Sequence, residues 1–504
     1  MNKKTMKDDE LLEELGEAQM KESLPVPLLR NPLIDPEYFR GLFREACEKV
    51  SRMTSEIAEN PEKDFTRKQV FTFEELVRFL VLMGGGGVLE ELSTYFSMDT
   101  TTVPPHGSTL CMARKKLKPQ ALYLVFRYIT DHCSVLNDFK GYRLVGVDGS
   151  GIKLPLNRKE TETLHQDKEN KPYSQCYFHG AYDLLNCIYL DAVISASVRK
   201  TDERTALLEM ADSRHLSTNT IFVGDRGYGG WKIFATLLEK QRHFVLREKD
   251  KDRLGIFKSL NLSEDEGFDI VRTVILTNKQ TKMVKAHPEL YRTIMTNQDF
   301  PYLDKDNEYY VMTLRFTSIK VAEGKYICLV TDFLDKEEIT VEDLKYIYYL
   351  RWGIEGSYRI FKYTCGVIHF HARSFRNCLQ EIYARMTQFN ISQLIAGCVA
   401  VDGSTCRVLT QEEYRKACMT PGAEEEPEEI KEDSVSGPES SKKYRYKPNL
   451  SAAITNIKQF LKGMGTEAAL IARIKRYLIP VRPGRSFPRN IRIQPATSLL
   501  YRCS

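Results

Sequence analysis

The order of strand and helix patterns between residues 143 and 249 limits the possible folds more than any other feature of this chain. RLVGVDGSGIKLP (143–155) is typical of a buried strand, and CYFHGAYDLLNCIYLDAVISAS (176–197) holds two β-rich runs joined by a hairpin near Asp183–Asn186. The later patterns are, in order, a helix (203–215), a strand (220–230), a helix (231–241) and a strand (243–249). This alternation predicts an α/β fold, a mixed sheet with flanking helices.

Two of the predicted strands carry an aspartate at the point where the apolar run ends. Asp148 is followed by Gly149, and Asp225 opens the glycine-rich turn DRGYGG. An unpaired buried charge costs several kcal/mol, so carboxylates at buried strand ends favour a functional interpretation. The alternative for each residue alone is an aspartate that caps a turn.

The segment YLRWGIEGSYRIFK (349–362 with Tyr348 before it) places four chemically distinct side chains on one helical face. At about 100° per residue, Tyr348, Arg351, Glu355 and Lys362 fall on a stripe about 60° wide. Thr340 is the predicted N-cap, with Asp343 three residues later, and Gly366 is the predicted stop. An aromatic ring, two cations and a carboxylate on one stripe suit a metal ion beside a nucleic-acid phosphate. The alternative is a solvated charged face.

The apolar face of the same helix is predicted to pack inward, because a separate set of hydrophobic side chains lies away from the charged stripe. This set comprises Ile347, Leu350, Ile354 and Phe361.

The composition describes an ordinary water-soluble chain. Its 504 residues suffice for two to four domains, and it has neither an apolar run of 18 residues nor a secretory leader. Its 12 cysteines include no C-x-x-C pair, which favours reduced thiols over zinc ligands. His369 and His371 are interpreted as packing or surface residues rather than metal ligands. We therefore expect a cytoplasmic protein without a membrane partner.

Charge is distributed unevenly along the chain. The net charge is +5, but residues 421–435 alone carry −6, so the remainder carries +11. Most of that excess lies beyond residue 441, where lysines and arginines alternate with Tyr444, Tyr446 and Tyr477. Such a basic, aromatic-bearing end suits a polyanionic partner. The alternative is a tail that only increases solubility.

The chain divides into six predicted segments. They are a charged, flexible arm (1–25), a helical DNA-binding domain (26–140), a catalytic domain in two parts (141–249 and 334–418), a β-rich insertion (250–333), an acidic linker (419–441) and a basic C-terminal region with helices (442–504). Within the second segment, the basic helix 108–118 follows a turn and carries Arg114 and Lys115. This outline is typical of a helix that reads DNA, although many helical bundles share it.

Three carboxylates, Asp148, Asp225 and Glu355, predict hard-cation chemistry if they converge. Oxygen ligands of this kind suit Mg²⁺, or Mn²⁺, and two such ions per active site can drive an in-line displacement at a phosphodiester. The sequence lacks a G-x-x-x-x-G-K-[ST] loop, and no histidine lies near either aspartate in sequence. Nucleotide hydrolysis and a hydrolase triad are therefore disfavoured.

Three blocks, VGVDGSGIKLP, VGDRGYGGWKIF and YLRWGIEGSYRIFK, resemble the DDE transposases of bacterial insertion sequences with the YREK signature. The resemblance covers roughly residues 64–400 and the ending PVRPGRSFPRNIR. It implies an RNase H-like catalytic domain with a β-rich insertion before the glutamate helix. It also implies Asp148, Asp225 and Glu355 as the catalytic and metal-binding acids.

The resemblance assigns further side chains to DNA contact. Tyr348, Arg351 and Lys362 match residues that hold phosphates at the transposon end, and Arg226 and Tyr228 match positions near the scissile strand. Ser150 stands where related sequences often carry threonine, and the acidic linker is outside the family pattern.

The resulting expectation is a DNA transposase that cuts double-stranded DNA at inverted-repeat ends and joins those ends to target DNA. The resemblance implies a homodimer in the synaptic complex and, in several members, a hairpin intermediate. The alternatives are an RNase H-like nuclease that cuts without joining, a host-adapted DNA-binding protein with altered catalysis, and a soluble scaffold.

Overall fold

The computed structural model describes residues 35–66, 70–96, 103–133, 137–166, 171–197, 200–248, 256–259, 267–295, 299–322, 325–399 and 446–480. The predicted charged arm (1–25) and acidic linker (419–441) lie outside the described residues. So do residues 442–445 and 481–504 of the predicted basic C-terminal region. No helix within the described ranges is long and apolar enough to cross a membrane. All nine cysteines in these ranges are free thiols.

A mixed sheet, ten-stranded within the described residues, forms the centre of the protein. Its first strands are β1 (Arg143–Leu154), β2 (Leu164–His165), β3 (Tyr173–Asp183), β4 (Ile188–Ser195), β5 (Thr220–Gly224) and β6 (His243–Arg247). β1 pairs antiparallel with β3 and parallel with β5, β3 also pairs antiparallel with β4, and β5 pairs parallel with β6. The spatial order β4–β3–β1–β5–β6 is that of an RNase H-like sheet, which confirms the predicted fold class.

Alternating side chains along the parallel strands bury both faces of this sheet, as expected for strands covered on two sides. Val145, Val147 and Phe222 enter one core, while Leu144 and Ile221 enter the other. The first core contains the helices that follow β4 and β5, α7 (Glu203–Ala211) and α8 (Trp231–Glu239). The predicted hairpin between β3 and β4 is present at residues 184–187.

The β-rich insertion continues the central sheet and does not form a separate layer. Its elements are α9 (Ile256–Ser259), β7 (Phe268–Thr277), α10 (Lys282–Ala286), β8 (Tyr291–Thr293), β9 (Tyr309–Ala322) and β10 (Lys325–Thr331). β10 pairs antiparallel with β6, and the order continues through β9 and β7 to β8. The sheet hydrogen bonds therefore connect the insertion, through β6, to β5 and β1.

Helices from both ends of the chain pack around one long buried helix. The N-terminal helices are α1 (Pro36–Ser51), α2 (Thr54–Ile57), α3 (Phe73–Leu82), α4 (Val88–Phe96), α5 (Gly107–Lys116) and α6 (Pro119–His132). The long helix is α13 (Phe375–Gly397), and it contacts α6, α3, α1 and β4. The C-terminal elements are β11 (Tyr446–Pro448), α14 (Leu450–Leu461), α15 (Glu467–Arg476) and β12 (Leu478–Pro480), and α14 also packs on α13. The long helix α13 is therefore the common support of the helical parts.

Candidate active site

Asp148 and Asp225 lie at the same edge of the sheet, beside each other on two parallel strands. β1 and β5 pair in register up to Gly146 and Val223, and each aspartate comes two residues later. Side chains two residues apart point to the same face of a strand, and neighbouring strands are about 4.8 Å apart. The register therefore brings the two predicted acids together.

Glu355 reaches this edge from a helix that is nearly continuous from Val341 to Thr364. Its parts are α11 (Val341–Leu350), α12 (Trp352–Arg359) and a π-helical turn (Ile360–Thr364), and Arg351 between the first two keeps helical dihedral angles. Thr340 and Asp343 form the predicted capping box. Gly366, with φ of +77°, follows the last turn, in agreement with the predicted stop.

The π-helical turn changes the face on which Lys362 lies. A π turn holds more residues than an α turn, so the spacing of about 100° per residue no longer applies beyond Arg359. The predicted inward face is confirmed, because Ile347, Ile354 and Phe361 are fully buried and Leu350 nearly so.

Buried tyrosines fasten the glutamate helix to the sheet. The Tyr358 hydroxyl donates a hydrogen bond of 2.5 Å to the backbone carbonyl oxygen of Asp148. One residue earlier in the helix, the Ser357 hydroxyl is 2.7 Å from the hydroxyl of Tyr189 on β4. Asp148 and the helix of Glu355 are thus held in a fixed relation by side chains that the sequence analysis had not selected.

Arg351 lies inside the group of acids and is only 2% exposed. Its Nη2 donates to Glu355 Oε1 at 3.0 Å, and its guanidinium packs between the rings of Tyr348 and Trp352. Burial alone lowers the pKa of this guanidinium. Tyr348, Glu355 and the two aspartates raise that pKa by more than burial lowers it, so the net shift is upward. Arg351 therefore acts as the internal counter-charge of the site.

The surroundings of Asp148 oppose its ionisation. Burial is the main cause, and the charges of Asp225 and Glu355 add to it, so the pKa of Asp148 rises to about 7. Arg351 and the backbone amide of Gly149 act in the opposite direction. A further cation close to Asp148 would therefore stabilise its ionised form.

The chemistry of these donors fits a hard divalent cation. Carboxylate oxygens are the ligands that Mg²⁺ and Mn²⁺ prefer, and the charges of Asp225 and Glu355 add to burial in raising the pKa of Asp148. In the described part of the chain, no three side chains of His, Cys, Asp or Glu are grouped closely enough to hold a metal. Arg351, paired with Glu355 at 3.0 Å, provides positive charge beside these acids.

The predicted phosphate-holding residues are less exposed than a DNA surface requires. Tyr348 is 2% exposed, and its hydroxyl lies 3.5 Å from Nη1 of Arg247. Lys362 is half-buried, and its Nζ donates to Ser150 Oγ at 2.6 Å and to the Gly151 carbonyl oxygen at 2.9 Å. Both residues, like Arg351, therefore bind other protein groups at the rim of the acid site.

The DRGY turn after β5 shapes the other side of the site. The Gly227 amide donates to Asp225 Oδ1 at 2.8 Å, which orients that carboxylate. Arg226 is half-buried, whereas Tyr228 is fully buried beneath the acids. Of the two predicted DNA-contacting residues in this turn, Tyr228 is thus part of the interior.

Arg114, one of the predicted DNA-contacting residues, is buried, whereas its neighbour Lys115 is exposed. Arg114 is 2% exposed and donates to Glu381 Oε1 at 2.8 Å, to Gln380 Oε1 at 3.1 Å and to the Asn377 carbonyl oxygen at 2.8 Å. The physical reason is that α5 packs its arginine against α13, and a single sequence does not show which face of a basic helix is buried.

The family comparison agrees with this geometry. The family described as transposase DDE domain matches residues 139–391, which is half of the chain and contains all three acids. The chain belongs to this family. Membership implies an enzyme of DNA transposition, with nuclease or transposase activity.

One solved structure similar to this transposase is the cryo-EM synaptic complex of piggyBac transposase with hairpin DNA. The two chains have a TM-score of 0.38 and 12% sequence identity, over 90% of this chain and 87% of that chain. No curated protein matches this chain at a significant level.

The transposase also holds site residues that sequence reasoning missed, Glu203 and Arg204 at the start of α7. Arg204 Nε donates to the Gly227 carbonyl oxygen at 2.8 Å, and its Nη2 donates to the Gly229 carbonyl oxygen at 2.5 Å. The signal available in the sequence was the start of a helix directly after the N-cap Asp202, in the connection from β4 to β5. A helix that begins there begins at the same edge as Asp225.

Proposed function

We propose that this transposase cuts double-stranded DNA at the inverted-repeat ends of its element and joins the 3′ ends to target DNA. The observation that supports the proposal is the convergence of Asp148 and Asp225, on adjacent parallel strands, with Glu355 on a helix tied to the same strand by Tyr358. The three acids belong to separate parts of the chain. Packing explains why they lie near one another, but it does not explain why all three are acids.

The three acids would hold Mg²⁺, or Mn²⁺, in the proposed site. Two such ions, when bound, activate the attacking hydroxyl and stabilise the leaving oxygen of the in-line displacement. The other side chains fix the geometry of the acids. Arg351 orients Glu355, Tyr358 holds the backbone of Asp148, and Lys362 holds β1 itself through Ser150 and Gly151.

The decisive assay uses purified full-length protein, Mg²⁺ and a supercoiled plasmid that carries the DNA flanking the gene. Glu355→Gln is expected to reduce cleavage and strand transfer at least 1,000-fold, because the amide cannot provide the charge that binds the metal. Glu342→Gln is the matched control, since Glu342 is an exposed glutamate in the first turn of α11. Strand transfer that persists in the Glu355 variant at the wild-type rate contradicts the proposal.

The same assay separates transposition from simple cutting. A transposase covalently links the labelled 3′ end to target DNA, and sequencing of the products shows a short target duplication. Cleavage without any joined product assigns the protein to the nuclease alternative. Binding without cleavage assigns it to the host-adapted DNA-binding alternative.

Double-stranded DNA and a second copy of the chain are the proposed partners in the synaptic complex. Family membership and the net charge of +11 outside residues 421–435 support this part of the proposal. Each lysine or arginine that contacts a phosphate adds about 0.9 to the slope of log K against log salt. Lys115→Met is therefore expected to lower the slope by about one, if the exposed face of α5 contacts DNA.

The buried position of Arg351 gives a sharper test of its role. If it only orients Glu355, Arg351→Ala abolishes cleavage but leaves the salt slope of end binding unchanged. If it also contacts a phosphate, the slope falls by about one. Light scattering of the protein with paired end DNA tests the homodimer independently.

A further inference from the structure

A fourth carboxylate, that of Glu203, lies at the same edge of the sheet as Asp225. A methyl group added at Gly227 would lie 2.8 Å from Glu203 Oε2 and 3.1 Å from Asp225 Oδ1. A methyl group added at Gly149, next to Asp148, would lie 3.0 Å from Glu203 Oε1. The Glu203 side chain therefore lies between Gly149 of β1 and the turn that follows Asp225, and the chain carries glycine at both points of approach.

The Glu203 carboxylate is half-buried and lacks a partner in the described part of the chain. No hydrogen bond or ion pair joins it to another described residue, and the neighbouring guanidinium of Arg204 binds backbone carbonyl oxygens instead. A partly desolvated carboxylate beside a second one is unfavourable without a compensating cation. This arrangement is therefore poorly explained as a structural contact of α7.

The hydroxyl of Tyr228 is an independent sign of a ligand at this position. Tyr228 is fully buried, and within the described residues its hydroxyl has no hydrogen-bond partner. The charges of Asp148, Glu203 and Asp225 all act on it, so it faces the space that these acids share. Buried polar groups in proteins are nearly always satisfied, and oxygen bound to a cation at this place would satisfy this one.

The position is also accessible from outside. A cleft of about 380 Å³ opens beside this carboxylate. Its lining includes Glu203, His179, Arg204, Ser150, Gly149, Gly151 and Gly227. The Glu203 carboxylate thus faces the cleft on one side and Asp225 on the other. A hydrated cation, or a phosphate carried by a cation, can enter without movement of the main chain.

We propose that Glu203 is a fourth acidic ligand of the site and completes, with Asp225, the oxygen set of one of its divalent cations. This inference rests on the proposed function, because it assigns a further ligand to the same metal site. It predicts that a hard cation such as Mg²⁺ or Mn²⁺ binds less tightly when the carboxylate at position 203 is removed. Asp148 and Glu355 keep their proposed roles.

Mn²⁺ binding to the full chain tests the inference without an activity assay. The free ion is measured by its electron paramagnetic resonance signal. Glu203→Gln is expected to weaken at least one Mn²⁺ site tenfold or more. Glu209→Gln is the matched control, because Glu209 is an exposed glutamate of the same helix α7 and its loss should leave binding unchanged. Circular dichroism melting shows whether each variant is folded. Glu203→Asp, which keeps the charge, is expected to retain more affinity than the glutamine variant.

The outcomes separate this inference from the proposed function. If Asp225→Asn weakens Mn²⁺ binding while Glu203→Gln binds as the wild type does, the fourth ligand is refuted and the three-acid site stands. If the wild-type chain binds no Mn²⁺, both the inference and the proposed metal chemistry fail. Equal weakening by Glu203→Gln and Glu209→Gln also refutes the inference, because the effect is then general electrostatics rather than ligation.

Discussion

The buried ion pair between Arg114 and Glu381 provides the most quantitative test of the architecture. It joins α5 to the long helix α13, and both side chains are 2% exposed. Glu381 also accepts hydrogen bonds from the backbone amide of His371 at 3.0 and 3.1 Å. Arg114→Met leaves this carboxylate buried without its arginine, and truncating one member of such a pair costs about 3–5 kcal/mol.

The pKa of Glu381 gives a second measure of the same effect. Burial alone raises it, but Arg114 and His371 outweigh burial and lower the pKa from 4.5 to about 2. At 1.36 kcal/mol per unit this shift corresponds to about 3 kcal/mol. Because the folded pKa is depressed, this stabilisation is present above pH 4.5 and is lost as the pH falls toward 2.

The assay is urea unfolding, monitored by circular dichroism, at pH 7 and at pH 3. The Arg114 variant is expected to be less stable by about 3–5 kcal/mol at pH 7, and this difference should narrow by about 2 kcal/mol at pH 3. Lys115→Met, at the exposed neighbouring position, is the control and should remain within about 0.5 kcal/mol of wild type.

The reasoning is refuted if Arg114→Met changes the unfolding free energy by less than about 1 kcal/mol, or if the two variants are equally destabilised. A normally stable Arg114 variant that loses DNA affinity would place Arg114 at the DNA surface, as the sequence prediction had it.

Three further changes test other parts of the structure. His243 is hydrogen-bonded to Asp332, which raises its pKa, so its stabilisation is present below pH 6.5 and lost as the pH rises through the folded value; His243→Gln should remove this dependence in thermal melts between pH 6 and 8. Gly366 has φ of +77°, and Gly366→Ala should cost about 1 kcal/mol in urea unfolding, whereas an unchanged midpoint contradicts the assigned conformation. Tyr358→Phe removes the hydrogen bond to Asp148 and should cost about 1 kcal/mol and slow DNA cleavage; unchanged cleavage would show that this contact does not position the acid.

The sequence predicted the elements of the catalytic domain closely, because each depends on local pattern. The hairpin after Asp183 and the capping box at Thr340 appear where turn residues and N-cap chemistry indicated. The strand predicted to end at Asp148 instead continues to Leu154, because β1 keeps its pairing with β3 through the glycines. The helix predicted over 108–118 begins one residue earlier, at Gly107, because the His106 side chain accepts a hydrogen bond from the Ser108 amide and caps it. Boundaries of this kind depend on a single side-chain hydrogen bond.

The sequence did less well for side chains whose roles depend on which face is buried. Arg114, Arg351 and Tyr348 are all in the interior, although their residue types and spacing suited a surface that holds phosphates. Glu203 was read only as part of a helix, yet the crossing of α7 over the sheet edge brings it to Asp225. Neither burial nor this approach follows from the spacing of residues along one element.

The chain by itself determined the strand and helix order, the position of the acids at strand ends and on a helix, and the resemblance of its three blocks to the DDE transposases, since these are properties of neighbouring residues. Only the tertiary structure decided which charges are exposed and which neutralise each other. That outcome depends on packing between elements more than a hundred residues apart, where burial strengthens every interaction between charges.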